Sequence, residues 1–158
     1  VVSDAFERFL TAKRSSTAKS SGDPVEDLKR GWDNSVSFAN QHPKVYAAML
    51  AAAANHPEAI KQAYLLLLQA LAPVARAGRL RVEMELAAQT LWSAVHGLNA
   101  LRVTNPDNEW KSDLSDTLRD AVIAAVTKSA KEAGKPVPED RIRLILRANG
   151  VQLPKGTS

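Results

Sequence analysis

From Leu86 to Leu101 the chain reads LAAQTLWSAVHGLNAL, helical in its spacing and without a single charge. A helix turns about 100° per residue, so the run divides by direction. Leu91, Val95 and Leu98 point one way, Trp92, His96 and Asn99 share a second direction, and Ser93, Gly97 and Ala100 form a third face of small residues. No broad charged side is left. Such a helix must be covered all round, and a chain of 158 residues rarely encloses a central helix completely. A second copy of the chain is the economical cover. Close backbone approach on the Ser93, Gly97 and Ala100 face would offset the roughly 1 kcal/mol that a glycine costs inside a helix.

The rest of the chain shows the same helical spacing and no sustained period-two alternation, so the expected fold is all-α, a bundle of about six to seven helices. Proline and glycine separate them. Helix one is expected from Val1 to Lys19, followed by a loop. Helix two opens at Asp23-Pro24-Val25-Glu26, with Asp as cap, Pro in the first turn and Glu reaching back to the cap amide, and it ends near Gln41. Its apolar stripe is Val25, Leu28, Trp32, Val36 and Ala39. His42-Pro43 and His56-Pro57 open helix three, to about Ala54, and helix four, to about Ala77, which Gly78 ends and Pro73 should kink. Helix five covers Val82 to Thr104. Helix six is expected from Asp107 to Ala130 with the stripe Trp110, Leu114, Leu118, Val122 and Val126, and a short last helix in PEDRIRLILRANG, whose IRLIL covers the bundle end or meets a partner.

One domain is expected at this length and 45% hydrophobic content. Cysteine is absent, which excludes disulfides and thiolate metal sites and suits the reducing cytoplasm in which the chain is expected. The longest uncharged stretches fall short of the roughly 20 residues that cross a bilayer, and VVSDAFERFLTAKRSS lacks the basic, apolar and cleavage regions of a signal peptide. The formal charge is +4, but Lys and Arg are dispersed among 17 acids, without the clustering that a nucleic-acid or membrane surface needs. The first residue is valine, so translation is expected to begin upstream.

The chemistry-bearing residues are few. No phosphate loop, nucleophile elbow or di-iron motif occurs, and His42, His56 and His96 lie on separate elements, so neither catalytic residues nor a cofactor are expected. His42 and His56 read as capping or junction residues. Asp113, Asp116 and Asp120 share one face of helix six, where a solvated surface explains them better than a metal. His96 keeps two readings: a core histidine with satisfied ring nitrogens, or part of a cavity wall with Trp92 and Asn99.

Taken in order, DPVEDL, FANQHPKVYAAML, a long aliphatic helix closed by ARAGRL, and LAAQTLWSAVHGLNAL resemble the C-terminal ligand-binding and dimerisation domain of TetR-type transcriptional repressors. The likeness covers residues 23 to 104, with helix six fitting the same plan. It implies a homodimer through helices five and six, with Ser93, Gly97, Ala100, Leu114, Leu118 and Val122 at the interface. It also implies a pocket among helices two to five for a small, largely apolar or aromatic effector. The candidate lining is Trp32, Val36, Tyr46, Met49, Tyr64, Leu67, Leu68, Leu71, Trp92, His96 and Asn99; for each apolar one, ordinary core packing is the rival role.

The resemblance divides the chain into a connecting helix and loop (1–22), a ligand-binding and dimerisation domain (23–130) and an extension (131–158). Nothing before Asp23 can form a helix-turn-helix, and VVSDAFERFL looks like the helix that follows one. Operator DNA would be reached only through an N-terminal domain that this chain lacks, whether removed or never present. The rival from another class is a helical dimerisation or adaptor module with neither ligand nor DNA function.

Overall fold

The computed structural model describes residues 2–17 and 20–155; Val1 and Lys19, the expected limits of the first helix, lie outside them. The described residues form α1 (Val2–Thr17), α2 (Pro24–Gln41), α3 (Pro43–Ala52), α4 (Pro57–Arg76), α5 (Met84–Thr104), α6 (Leu114–Val126) and α7 (Glu139–Ala148). Short 3-10 turns at Ala53–Asn55 and Ala130–Glu132 complete the all-α architecture.

Helix starts follow local chemistry. The Asp23 carboxylate accepts the N–H groups of Val25 at 2.9 Å and Glu26 at 3.4 Å, and Pro24 occupies a first-turn site that needs no donor. The reciprocal contact expected of Glu26 does not form, because the Asp23 N–H donates to Ser21 Oγ and Glu26 pairs with Lys29. His42 and His56 occupy the cap positions of α3 and α4, yet neither side chain makes a capping bond. Their rings pack instead on Phe38 and Phe6, with centroids 5.1 and 5.7 Å apart, so these histidines are aromatic junctions.

Helix six is shorter than expected. Residues 107–113 turn rather than join it: the Asn108 N–H returns to the Asn105 carbonyl, and the Trp110 indole N–H holds that same carbonyl at 3.1 Å. Trp110 thereby leaves the helical stripe and closes the loop. Pro73 does not end α4, which continues to Arg76.

The main core gathers Leu68, Leu71 and Val74 of α4 against Ala87 and Leu91 of α5 and Ile123 and Val126 of α6. Ile142 and Leu146 of α7 join it, so the IRLIL segment covers α4, leaving Leu144 exposed. A second cluster joins Phe6, Phe9 and Leu10 of α1 to Phe38, Tyr46 and Met49. A third packs Trp32 and Val36 on Val95 and Leu98, flanked by Leu114 and Leu118 of α6. Arg119 ties α6 to α2, its guanidinium meeting both carboxylate oxygens of Asp33 at 2.9 and 3.0 Å. It also holds Asp116 and Asp120, so these exposed acids are ion-paired. Among the described residues no helix is long and apolar enough to cross a membrane.

The α4–α5 junction anchors the C-terminal segment. Gly78 has φ +67°, and the Arg79 and Gly78 N–H groups close on the Val74 and Ala75 carbonyls, a helix ending that requires a left-handed residue. Leu80 then bridges Thr127, and the N–H groups of Gly134 and Val137 bond the Gly78 and Ala75 carbonyls at 2.9 and 3.0 Å. A Cβ on Gly78 would stand 2.2 Å from the Gly134 carbonyl oxygen. Gly78→Ala is expected to lower unfolding free energy by about 2–4 kcal/mol in urea denaturation, from left-handed strain and overpacking together. A change within about 0.5 kcal/mol, the scatter of a neutral substitution, would show that this contact is not needed.

Candidate functional site

A cleft of about 710 Å³ opens between α1, α2, α4 and α5. Its walls are mainly apolar: Phe9 from α1, Phe38 from α2, Leu66 and Leu67 from α4, and Trp92 and Val95 from α5. Pro73 also lines it. Lacking an N–H, Pro73 leaves the carbonyl of Gln69, another lining residue, without its usual helical donor. Gly31 sits midway along α2 on the cleft wall, and a Cβ built there meets nothing within 4 Å.

The expected lining residues divide into groups. Trp32, Leu67 and Trp92 line the cleft. The Trp32 indole N–H also donates to Ser115 Oγ at 3.1 Å, which fixes its ring against α6. Leu68 and Leu71 are wholly buried in the main core, Val36 belongs to the third cluster, and Tyr46 and Met49 to the second. Tyr64 packs beside the main core with its ring edge-on to Trp92, one layer behind the wall.

His96 and Asn99 stand outside the cleft lining, although they share a helical direction with Trp92. The His96 ring lies behind the wall, 4.2 Å from the Trp92 ring and 6.3 Å from Phe9 between centroids. Its Nδ1 shares a hydrogen bond with the Tyr46 hydroxyl, while Nε2 is buried without a protein partner. Asn99 is buried too, with 1% of its surface exposed.

Several cleft residues were not expected, above all those from α1. Phe6, Phe9, Leu10 and Lys13 follow helical spacing, so a lysine completes an otherwise apolar stripe. Lys13 lines the cleft with its ammonium 5.7 Å from the Phe9 ring centroid. Burial pulls its pKa down to about 8. That stripe is the sequence signal by which the fourth wall could have been found.

The remaining polar lining is largely committed. Asp27 accepts Ser20 Oγ, the Ser21 N–H and the Arg30 guanidinium, and Arg76 holds Glu139 of α7 through two bonds of 2.8 and 2.9 Å. Ser35 is 4% exposed, and its Oγ has no protein partner. The cleft therefore offers apolar area with few polar groups, the composition of a binding site for a small molecule.

Burial, and secondarily the charge of Lys13, lowers the His96 pKa to about 4. The unfolded chain protonates this residue near its ordinary value, so between the two values it binds more protons than the folded chain does. Stability is complete above the unfolded value and is lost as pH falls through the window toward 4. Urea denaturation at pH 7.5 and pH 5 is expected to differ by about 2 kcal/mol, with His96→Gln removing that contribution. An unchanged pH dependence in the variant would show that His96 is not held neutral.

Among known families, residues 28–126 match the one described as tetracyclin repressor-like, C-terminal domain. The matched span covers more than half of the chain and reaches from α2 through α6. No curated protein and no solved structure matches the chain. The resemblance carried by residues 23 to 104 and the four-helix cleft lead to the same place: the chain belongs to the tetracyclin repressor-like C-terminal domain family and is a regulator ligand-binding domain of the TetR type.

Proposed function

We propose that this chain is the effector-binding and dimerisation domain of a ligand-responsive transcriptional repressor, and that it senses a small, largely apolar molecule. The cleft carries the proposal. Its volume of about 710 Å³ falls within the roughly 300–1,000 Å³ of small-molecule sites. An adaptor module with a filled core would have no use for such a space.

Two glycines support the reading. Gly31 and Gly97 both lie inside helices, where each costs about 1 kcal/mol relative to alanine. Neither is required by packing within the chain, since a Cβ at either position meets nothing within 4 Å. Gly31 faces the cleft. Gly97 is on the exposed side of α5 with Leu86, Ser93 and Leu101, a stripe without charges suited to a second copy. The proposed interface combines this stripe with α6, where Leu114, Leu118 and Val122 are each partly buried beneath it.

In this mechanism α1 is the output. Phe9, Ala12 and Lys13 make it a cleft wall, so an occupant that prefers one position of α1 shifts the population toward it. In a dimer carrying DNA-reading heads ahead of α1, that movement changes the separation of about 34–36 Å needed for successive major grooves. The effector then releases the operator by differential binding.

Nile red, a neutral apolar dye, is the probe. It is expected to bind one per chain and to quench Trp32 and Trp92 fluorescence, whereas Gly31→Leu, which fills the cleft, weakens it at least about tenfold, a loss of about 1.4 kcal/mol. No binding, or equal binding to a folded Gly31→Leu variant, would remove the cleft as the site. Sedimentation equilibrium is expected to show a dimer that Gly97→Glu weakens by at least about tenfold, because a carboxylate is buried without a partner. A monomeric wild type, or a variant that dimerises as well, would contradict the proposed face.

A further inference from the structure

Among the described residues the cleft contains one charge that no carboxylate answers. Three cations line it: Lys13, Arg30 and Arg76. Arg30 is paired with Asp27 at 3.1 Å and Arg76 with Glu139 at 2.8 Å. Among the described residues Lys13 has no carboxylate partner; its neighbours are the Phe9 ring and, behind the wall, His96. A desolvated ammonium without a counter-ion is costly, and an anion in the cleft would remove that cost.

The Phe38 ring of α2 packs 5.4 Å from the Phe9 ring, over which Lys13 lies, and all three residues line the cleft. One ammonium suits a single anionic head group of one charge; a phosphate, with more charge and more oxygens, would leave most of its acceptors unanswered. Apolar wall is supplied by Leu66, Leu67, Ala70, Leu91 and Val95.

We propose that the effector is an amphipathic carboxylate, with its hydrocarbon body against the apolar walls of α4 and α5 and its carboxylate held by Lys13 of α1. The inference rests on the cleft being the effector site and adds the head-group class and the residue that selects it. It also gives α1 a direct hold on the ligand: a carboxylate drawing on Lys13 pulls the very helix whose position the proposed mechanism reads.

The test uses three probes of equal chain length, decanoate, 1-decanol and decyltrimethylammonium, displacing Nile red from wild type, Lys13→Met and Lys13→Arg. Decanoate is expected to bind wild type at least about tenfold more tightly than decanol, with decyltrimethylammonium weakest. The carboxylate preference should vanish in Lys13→Met and persist in Lys13→Arg, which keeps the charge, while decanol affinity stays within about twofold across the variants. Equal affinity of wild type for decanol and decanoate, or a preference that survives Lys13→Met, overturns the head-group assignment and leaves the cleft as the site. Failure of every probe, Nile red included, to bind wild type overturns the cleft reading and this inference with it.

Discussion

Helix α5 imposes the constraint on which the rest of the structure depends: from Leu86 to Leu101 it has no charged side to turn to water. The fold answers by giving its faces different neighbours. Leu91 closes the main core, while Val95 and Leu98 meet Trp32 and Val36 of α2. Trp92 forms a cleft wall, and the Tyr46 hydroxyl reaches His96 from α3. The face of Ser93 and Gly97 stays exposed in a single chain. A regulator domain that both encloses a ligand and pairs with a copy of itself would need such a helix, because the wall of the site and the proposed interface are opposite sides of the same rigid element.

The cleft exists because α1, α2, α4 and α5 pack on one another at their contacts and leave a space between them elsewhere. Gly31 withholds a side chain on the α2 wall, and α4 stays helical through Pro73, which leaves a carbonyl on the wall without its donor. The C-terminal segment stiffens this arrangement at a distance. Gly78 lets residues 134–137 bond the end of α4, and the Arg76–Glu139 pair ties the cleft rim to α7. Close packing on one side of α4 and open space on the other are thus held by the same helix ends.

Much of the fold was legible in the sequence because proline, glycine and aspartate act locally. Asp23-Pro24 and the two His-Pro junctions start helices by cap and φ preference, whatever surrounds them. Helix six failed as an expectation at Asp107 because the turn depends on the Trp110 indole finding the Asn105 carbonyl, which helical periodicity does not register. The cleft was harder to read for a related reason. Leu65 to Leu68 are four consecutive leucines pointing in four directions, and only the placement of neighbouring helices sends Leu68 to the core and Leu66 and Leu67 to the cleft. Trp92, His96 and Asn99 share a direction in the sequence, yet α3 supplies Tyr46 to His96 and so separates it from the wall. Lys13 was readable as a charge in an apolar stripe, but its meaning required the missing partner to be seen in three dimensions.

The central claim is that the space bounded by Phe9, Gly31, Leu67 and Trp92 holds a ligand, and the most direct measurement is a crystal structure of the chain grown with Nile red. Difference density for one dye inside that boundary is the expected result. Density confined to the outer face of α5, with the cleft occupied only by water, would contradict it and leave a dimerisation module without an effector site.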